Sequence, residues 1–208
     1  NEVQTVLDVD LENFFGTIDH TLLIDLLKKK IEDKRLLRYL IRMFKAGVLA
    51  NGDITVSEEG VPQGSVCSPI LSNIFAHYVI DIWFETVVKT HCRGRVEMFR
   101  YGDDLVVCCQ YEHDARRIAR AFKGRLGKFN LRLNEEKTKL VAFDKKNVRS
   151  KNKPGTFDFL GLTFYWGCSR QGKPIPKVKT CGKRLRSKLK KVNRWGRAIR
   201  NKYPRSKI

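Results

Sequence analysis

The chain has 208 residues, 42% of them hydrophobic, which is enough for one sizeable core and a small second lobe, and no run of eighteen apolar residues that would span a membrane. Its net charge of +20 is concentrated at one end: Asp144 to Ile208 holds 21 Lys and Arg against 2 acids, whereas residues 1 to 143 hold 21 against 20. Such a cationic arm repels itself unless it meets a polyanion, which puts nucleic acid first and an anionic membrane surface second among its partners.

The first element is a strand, VQTVLDVDL (Val3 to Leu11), whose alternation ends in acid. HTLLIDLLKKKI and KRLLRYLIRMFKAG carry apolar residues at helical spacing, with Asp19 or Thr21 as N-cap of the first and Gly47 as the stop of the second. NGD marks a turn and GVPQGSVCSP a loop dense in Gly and Pro. From Ser68 or Pro69 the segment SPILSNIFAHYVIDIWFETVVK predicts one long buried helix. RGRVEMFRYGDDLVVCCQY predicts two short strands around a tight turn, where Gly102 supplies the permissive backbone. DARRIARAFKGRLGKF reads as an amphipathic helix, LRLNEEKTKLVAF as a segment ending in a strand, and KKNVRSKNKPG as a linker. FDFLGLTFYW with a glycine-containing turn reads as a further hairpin, and about Cys181 to Tyr203 as a basic amphipathic helix. The order predicts an α+β fold: an antiparallel sheet with helices on one face, followed by a separate basic helical element. Trp166, Leu185, Leu189, Val192, Trp195 and Ile199, interleaved with the basic residues, argue against a merely solvated tail.

Six cysteines (Cys67, Cys92, Cys108, Cys109, Cys168 and Cys181) show neither a CxxC pair nor zinc-like spacing, so reduced thiols and an intracellular, cytoplasmic setting are expected. The chain opens on Asn1 with no basic, apolar leader, which predicts no signal peptide, and the absent methionine reads as the mark of a fragment.

The chemistry centres on FRYGDDLVV. Asp103 and Asp104 occupy the predicted hairpin tip, and Asp10 ends the apolar strand that can pair beside it. Three carboxylates at one sheet edge repel one another when bare, and divalent cations turn that repulsion into coordination. Hard oxygen donors suit Mg²⁺, and two such ions about 3.5 to 4 Å apart would acidify an attacking 3′-hydroxyl and stabilise departing pyrophosphate. That is nucleotidyl transfer, although an Asp-Asp pair in a turn is by itself an ordinary surface feature.

From Val3 to the C-terminus the chain resembles the reverse transcriptases encoded by group II introns. VLDVDLENFFGTIDH resembles their first catalytic motif, GVPQGSVCSPILSNIFAHYVID the block that follows, and FRYGDDLVV the core metal motif. LRLNEEKTKLVAF, FDFLGLTFYWG and KTCGKRLRSKLKKVNRW resemble the next motif, the primer-grip hairpin and the start of the thumb, all in family order. The resemblance implies a palm over residues 1–165 and a truncated basic thumb start over 166–208. It implies that Asp10, Asp103 and Asp104 are catalytic and bind two Mg²⁺ ions, with the Leu11 carbonyl as an added ligand. Phe15 would lie under the incoming sugar, where a ring rejects a 2′-hydroxyl and favours DNA synthesis. Pro62, Gln63 and Gly64 would contact nucleotide and template, with Asn73 in the same pocket and Lys137 near the leaving pyrophosphate. Phe159, Leu160 and Gly161 would form the primer grip. Arg184, Arg186, Lys188, Lys190, Lys191, Arg194 and Arg197 would neutralise phosphates of the primer-template duplex, with Leu189 and Trp195 on the packed face of that helix.

The implied partners are an RNA template or intron RNA, a DNA primer and deoxynucleoside triphosphates, with no membrane. Gly102 replaces the family's usual alanine, Gly16 a common aspartate and Ser65 a usual glycine. The family's fingers should precede Asn1, on another segment, and without them the isolated chain is expected to bind nucleic acid in a salt-sensitive way and polymerise weakly or not at all. Three other readings stay open: an RNA-binding maturase that folds intron RNA, an RNA-dependent RNA polymerase suggested by YGDD and opposed by Phe15, and a palm-like cyclase or nuclease, for which PQG and FLG have no use.

Overall fold

A computed structural model describes residues 3–45, 48–50, 53–55, 60, 67–149 and 154–200. Packing divides the chain into two units, Asn1–Asp144 and Lys145–Ile208.

In the first unit, β1 (Thr5–Val9) lies between β6 (Asp104–Cys109) and β8 (Lys139–Ala142), and β5 (Val96–Tyr101) completes an antiparallel sheet of order β5-β6-β1-β8. Alternation puts Leu7 and Val9 on one face, opposite Val107 and Leu105 in the β1–β6 ladder. That face packs on α4 (Glu112–Gly127), which buries Ile118, Phe122 and Leu126. Helices α1 (His20–Lys28) and α2 (Lys34–Lys45) pack together, and Leu23 and Phe44 join the same core. Of the two candidate caps for α1, Asp19 performs the role, its Oδ1 accepting Leu22 N–H at 3.0 Å. Two short strands, β3 (Val48–Ala50) and β4 (Asp53–Thr55), pair on either side of the expected NGD turn.

Two expectations are corrected here. The strand predicted from Val3 to Leu11 breaks at Asp10, and Leu11–Glu12 (β2) pairs instead with β7 (Arg132–Leu133) in another sheet. The helix predicted from Ser68 is continuous but not uniform. After α3 (Ser68–Ala76) come π turns at His77–Asp81 and Phe84–Val88 and a 3₁₀ turn at Lys89–His91. The cause lies in the spacing of its buried residues. Phe75, Val79, Phe84 and Val88 recur at intervals of 4, 5 and 4, wider than an α-helix's period, and π turns keep them on one line. Carbonyls loosened by the widening find a donor: Arg125 gives Nε–H to Val79 O at 2.9 Å and Nη2–H to Tyr78 O at 3.5 Å, while its guanidinium stacks on Phe129.

In the second unit, β9 (Phe157–Phe159), β10 (Leu162–Cys168) and β11 (Pro174–Thr180) form an antiparallel sheet, and α5 (Gly182–Ile199) follows. The β9–β10 hairpin, which the resemblance implies for the palm, shares this packing unit with the basic helix, and β10 pairs with β9 on one side and β11 on the other. Leu189 and Trp195, expected on a packed face, are exposed, because α5 buries none of its residues. None of the six cysteines, all of them among the described residues, is in a disulfide.

Candidate active site

The YGDD turn is built by its glycine. Tyr101 pairs with Asp104, leaving Gly102 and Asp103 as a two-residue hairpin loop, and Gly102 takes φ +63°. With positive φ confined to the first loop residue this is the II′ pattern, whose twist matches the flanking strands. A Cβ at Gly102 would meet nothing within 4 Å, so the family's alanine is opposed by the left-handed backbone alone.

Asp10 reaches the same end of the sheet from β1. Val9 pairs with Leu105, the last pair of that ladder, so Asp10 follows β1 at the end of the sheet where β6 begins at Asp104. The backbone of Asp10 is held on both sides: its N–H donates to Thr138 Oγ1 at 3.3 Å, and its carbonyl accepts Asn134 N–H at 2.9 Å. Thr138 and Asn134 are missing from the sequence-derived site, although they flank the EEK run that drew notice to Lys137. Lys137 Nζ lies 3.4 Å from Asp10 Oδ2, a cation already beside the carboxylate.

Backbone convergence does not extend to the side chains. Among the described residues, no three His, Cys, Asp or Glu side chains are gathered closely enough to hold a metal ion. Asp103 and Asp104 are both exposed at the tip.

Phe14 is buried in the core, while Phe15, in the 3₁₀ turn Phe14–Gly16, is half-buried and rests edge-on against it at 5.4 Å. Gly16, where the family favours aspartate, sits in a crowded spot: an added Cβ would collide with the Asn13 side-chain amide. Gly60, at the head of the GVPQG loop, docks on the same turn, its N–H donating to Ile18 O at 2.8 Å and its carbonyl accepting from His20 Nε2 at 2.5 Å. At φ +89°, a Cβ on Gly60 would lie 2.9 Å from Gly16 O. Pro62, Gln63 and Gly64 lie outside the described residues.

Asn73 is exposed on α3, and its Oδ1 accepts Nη1–H of Arg100 at 3.0 Å. Arg100 is absent from the sequence-derived site. It stands in β5 two residues before the turn and bonds Asp81 with two nitrogens, Nε at 2.7 Å and Nη2 at 2.5 Å.

The second unit holds the other candidates. Leu160 and Gly161 form the β9–β10 turn with φ +51° and +81°, the I′ pattern, in which glycine is at ease and leucine is not. The turn sits on the start of α5: Gly161 O accepts Cys181 N–H at 2.9 Å, and a Cβ on Gly161 would lie 2.7 Å from Arg184 Nη1. Phe159 is partly buried and Leu160 exposed. Below the turn, Asp158 accepts a hydrogen bond from Thr163 Oγ1 and another from Cys181 Sγ; the Thr163 bond, more than any other neighbour, holds its carboxyl below the usual carboxylate range. Arg184, Arg186, Lys188, Lys190, Lys191, Arg194 and Arg197 are all exposed along α5.

Residues 1–164 match the family model described as reverse transcriptase (RNA-dependent DNA polymerase). Protein YkfC of Escherichia coli (strain K12) is 32% identical over 162 residues, a match covering 65% of this chain and 42% of YkfC. The group II intron-encoded protein LtrA of Lactococcus lactis subsp. cremoris is 38% identical over 68 residues, covering 33% of this chain and 11% of LtrA. Apo telomerase from Candida tropicalis shares the fold with a TM-score of 0.63 at 13% identity, over 86% of this chain and 33% of the telomerase. The chain thus spans less than half of YkfC and about a tenth of LtrA.

Proposed function

Because the chain belongs to the reverse transcriptase (RNA-dependent DNA polymerase) family, we propose that it supplies the catalytic palm of an RNA-directed DNA polymerase of group II intron type, extending a primer 3′-hydroxyl with deoxynucleoside triphosphates on an RNA template. The β1–β6 register carries this conclusion, since it brings Asp10 to the end of the sheet where the hairpin presents Asp103 and Asp104. The donor set suits Mg²⁺: three carboxylates and the Leu11 carbonyl are hard oxygens, and Asp103 and Asp104 are exposed and able to turn inward. Asp10, Asp103, Asp104 and Leu11 O would hold two ions, which when bound acidify the 3′-hydroxyl and stabilise departing pyrophosphate.

The chain's own groups do the positioning. Thr138 and Asn134 fix the Asp10 backbone, and Lys137, 3.4 Å from that carboxylate, neutralises triphosphate oxygens. Phe15, backed by the buried Phe14, offers a rigid ring against a 2′-hydroxyl. Pro62, Gln63 and Gly64 contact nucleotide and template. Phe159, Leu160 and Gly161 support the primer end, and the cations of α5 neutralise duplex phosphates. Intron RNA is the second polyanion proposed for that helix, as in a protein that also assists splicing.

Primer extension on an RNA template by the protein carrying this chain tests the proposal. Asp103→Ala and Asp10→Ala are each expected to lower the Mg²⁺-dependent rate on the order of 10³-fold or more with melting temperature little changed. Retained extension in either variant overturns it.

A further inference from the structure

Arg100 is a half-buried guanidinium in an edge strand, and it touches three elements at once. Two of its nitrogens grip the Asp81 carboxylate at 2.7 and 2.5 Å, and Nη1 donates both to Asn73 Oδ1 at 3.0 Å and to Gly102 O at 3.1 Å. Gly102 is the glycine of the YGDD turn, so one side chain joins the loop that presents Asp103 and Asp104 to two residues of the neighbouring helix.

That both helix residues face Arg100 follows from the π turn. Eight residues separate Asn73 from Asp81, and in a straight α-helix residues i and i+8 point about 80° apart. One α turn plus the π turn at His77–Asp81, wider by roughly one residue, makes about two whole turns in those eight residues, so both acceptors fall on one line. The bifurcated use of Nη1 alongside a two-nitrogen grip on a carboxylate needs the planar fork of arginine, and a lysine ammonium cannot span it.

We propose that Arg100, aimed by Asp81 and Asn73, is a positioning residue that sets the height of the Gly102 turn and with it the Asp103 and Asp104 carboxylates. The proposal presupposes the polymerase function above and deepens it. It gives Asn73 a different task from touching nucleotide: Asn73 acts through Arg100. Loosening the grip shifts the turn without emptying the nucleotide pocket, so turnover suffers and substrate binding does not.

Steady-state primer extension by the protein carrying this chain, with Arg100→Lys and Asn73→Ala alone and together and with Asp103→Ala as reference, provides the test. Arg100→Lys is expected to lower kcat about 10- to 100-fold, with KM for the nucleotide within roughly twofold of wild type. The double variant is expected to be no worse than Arg100→Lys within about twofold, because the two residues form one unit. Asn73→Asp, which keeps the acceptor oxygen, is expected to retain activity within about threefold. Amide hydrogen exchange without metal or nucleic acid is expected to be about tenfold faster at Asp103 and Asp104 in Arg100→Lys. Multiplying losses in the double variant, a KM effect without a kcat effect, or unchanged exchange overturns the inference. Should Arg100→Lys fail to fold, the exposed Asn73 decides alone: equal losses in Asn73→Ala and Asn73→Asp overturn it, and loss in Asn73→Ala only supports it. Wild-type protein that fails to extend primers, or extension that survives Asp103→Ala, overturns the polymerase function instead, and the exchange comparison still judges the role of Arg100.

Discussion

The two units solve opposite problems. The first carries nearly balanced charge and one continuous core running from Leu7 to Leu131, and it holds its carboxylates at the end of a sheet packed on that core. In the second, among the described residues, Phe157 and Cys181 are the only buried hydrophobics, and 21 Lys and Arg face one acid, Asp158, over Lys145 to Ile208. Carboxylates that must meet at fixed distances need a rigid support, because small displacements are costly. Cations that neutralise a phosphate backbone need reach and exposure more than fixed geometry. On the proposed function, core supplies precision in one unit and charge supplies affinity in the other.

The contrast breaks most readily at the core. Phe122→Ala is expected to cost about 3–5 kcal/mol in urea denaturation, whereas Leu189→Ala on the bare face of α5 is expected to stay within about 0.5 kcal/mol. Similar costs at both would erase the distinction. Charge sharpens it next: Arg194→Ala with Arg197→Ala is expected to reduce the slope of log affinity against log salt by about 2 for a primer-template duplex, measured by fluorescence anisotropy. Lys28→Ala, at an exposed pair with Asp25 in the first unit, is expected to leave that slope unchanged.

A smaller effect concerns acid. Asp158 has its folded pKa lowered, chiefly by the Thr163 hydrogen bond, below the ordinary 3.8. Its contribution is therefore present above pH 3.8 and lost as pH falls through the lower folded value, so Asp158→Asn is expected to flatten the acid limb of the second unit's melting curve. The smallest effect is chemical. Burial pushes the Cys109 thiol up to about 12 and Cys108 to about 11, while Cys67 and Cys168 are exposed. Alkylation at pH 8 followed by peptide mass mapping is expected to label the exposed pair first and Cys109 last.

Much of this was legible in the sequence wherever the rule was local. The YGDD turn followed from a glycine between alternating strands, α4 from its apolar spacing, and the charge of α5 from simple counting. What escaped depended on distant partners. Arg100 reads as an ordinary strand cation, because Asp81 and Asn73 lie 19 and 27 positions away. The break at Asp10 depends on Thr138, 128 positions on. The π turns were present in the 4, 5, 4 spacing of Phe75, Val79, Phe84 and Val88, but an apolar helical run is read at the α period by default. The exposure of Leu189 and Trp195 is not legible either, because amphipathicity reports a preference for burial without saying what does the burying.

Leu160 has one more implication. A leucine at φ +51° raises the native state's free energy by about 1 kcal/mol relative to the glycine or asparagine that such a turn accommodates freely. Laboratory evolution for heat resistance alone would therefore drift away from leucine at this site, and a thermostable descendant chosen without an extension assay would emerge hardier and blunt at its apolar tip.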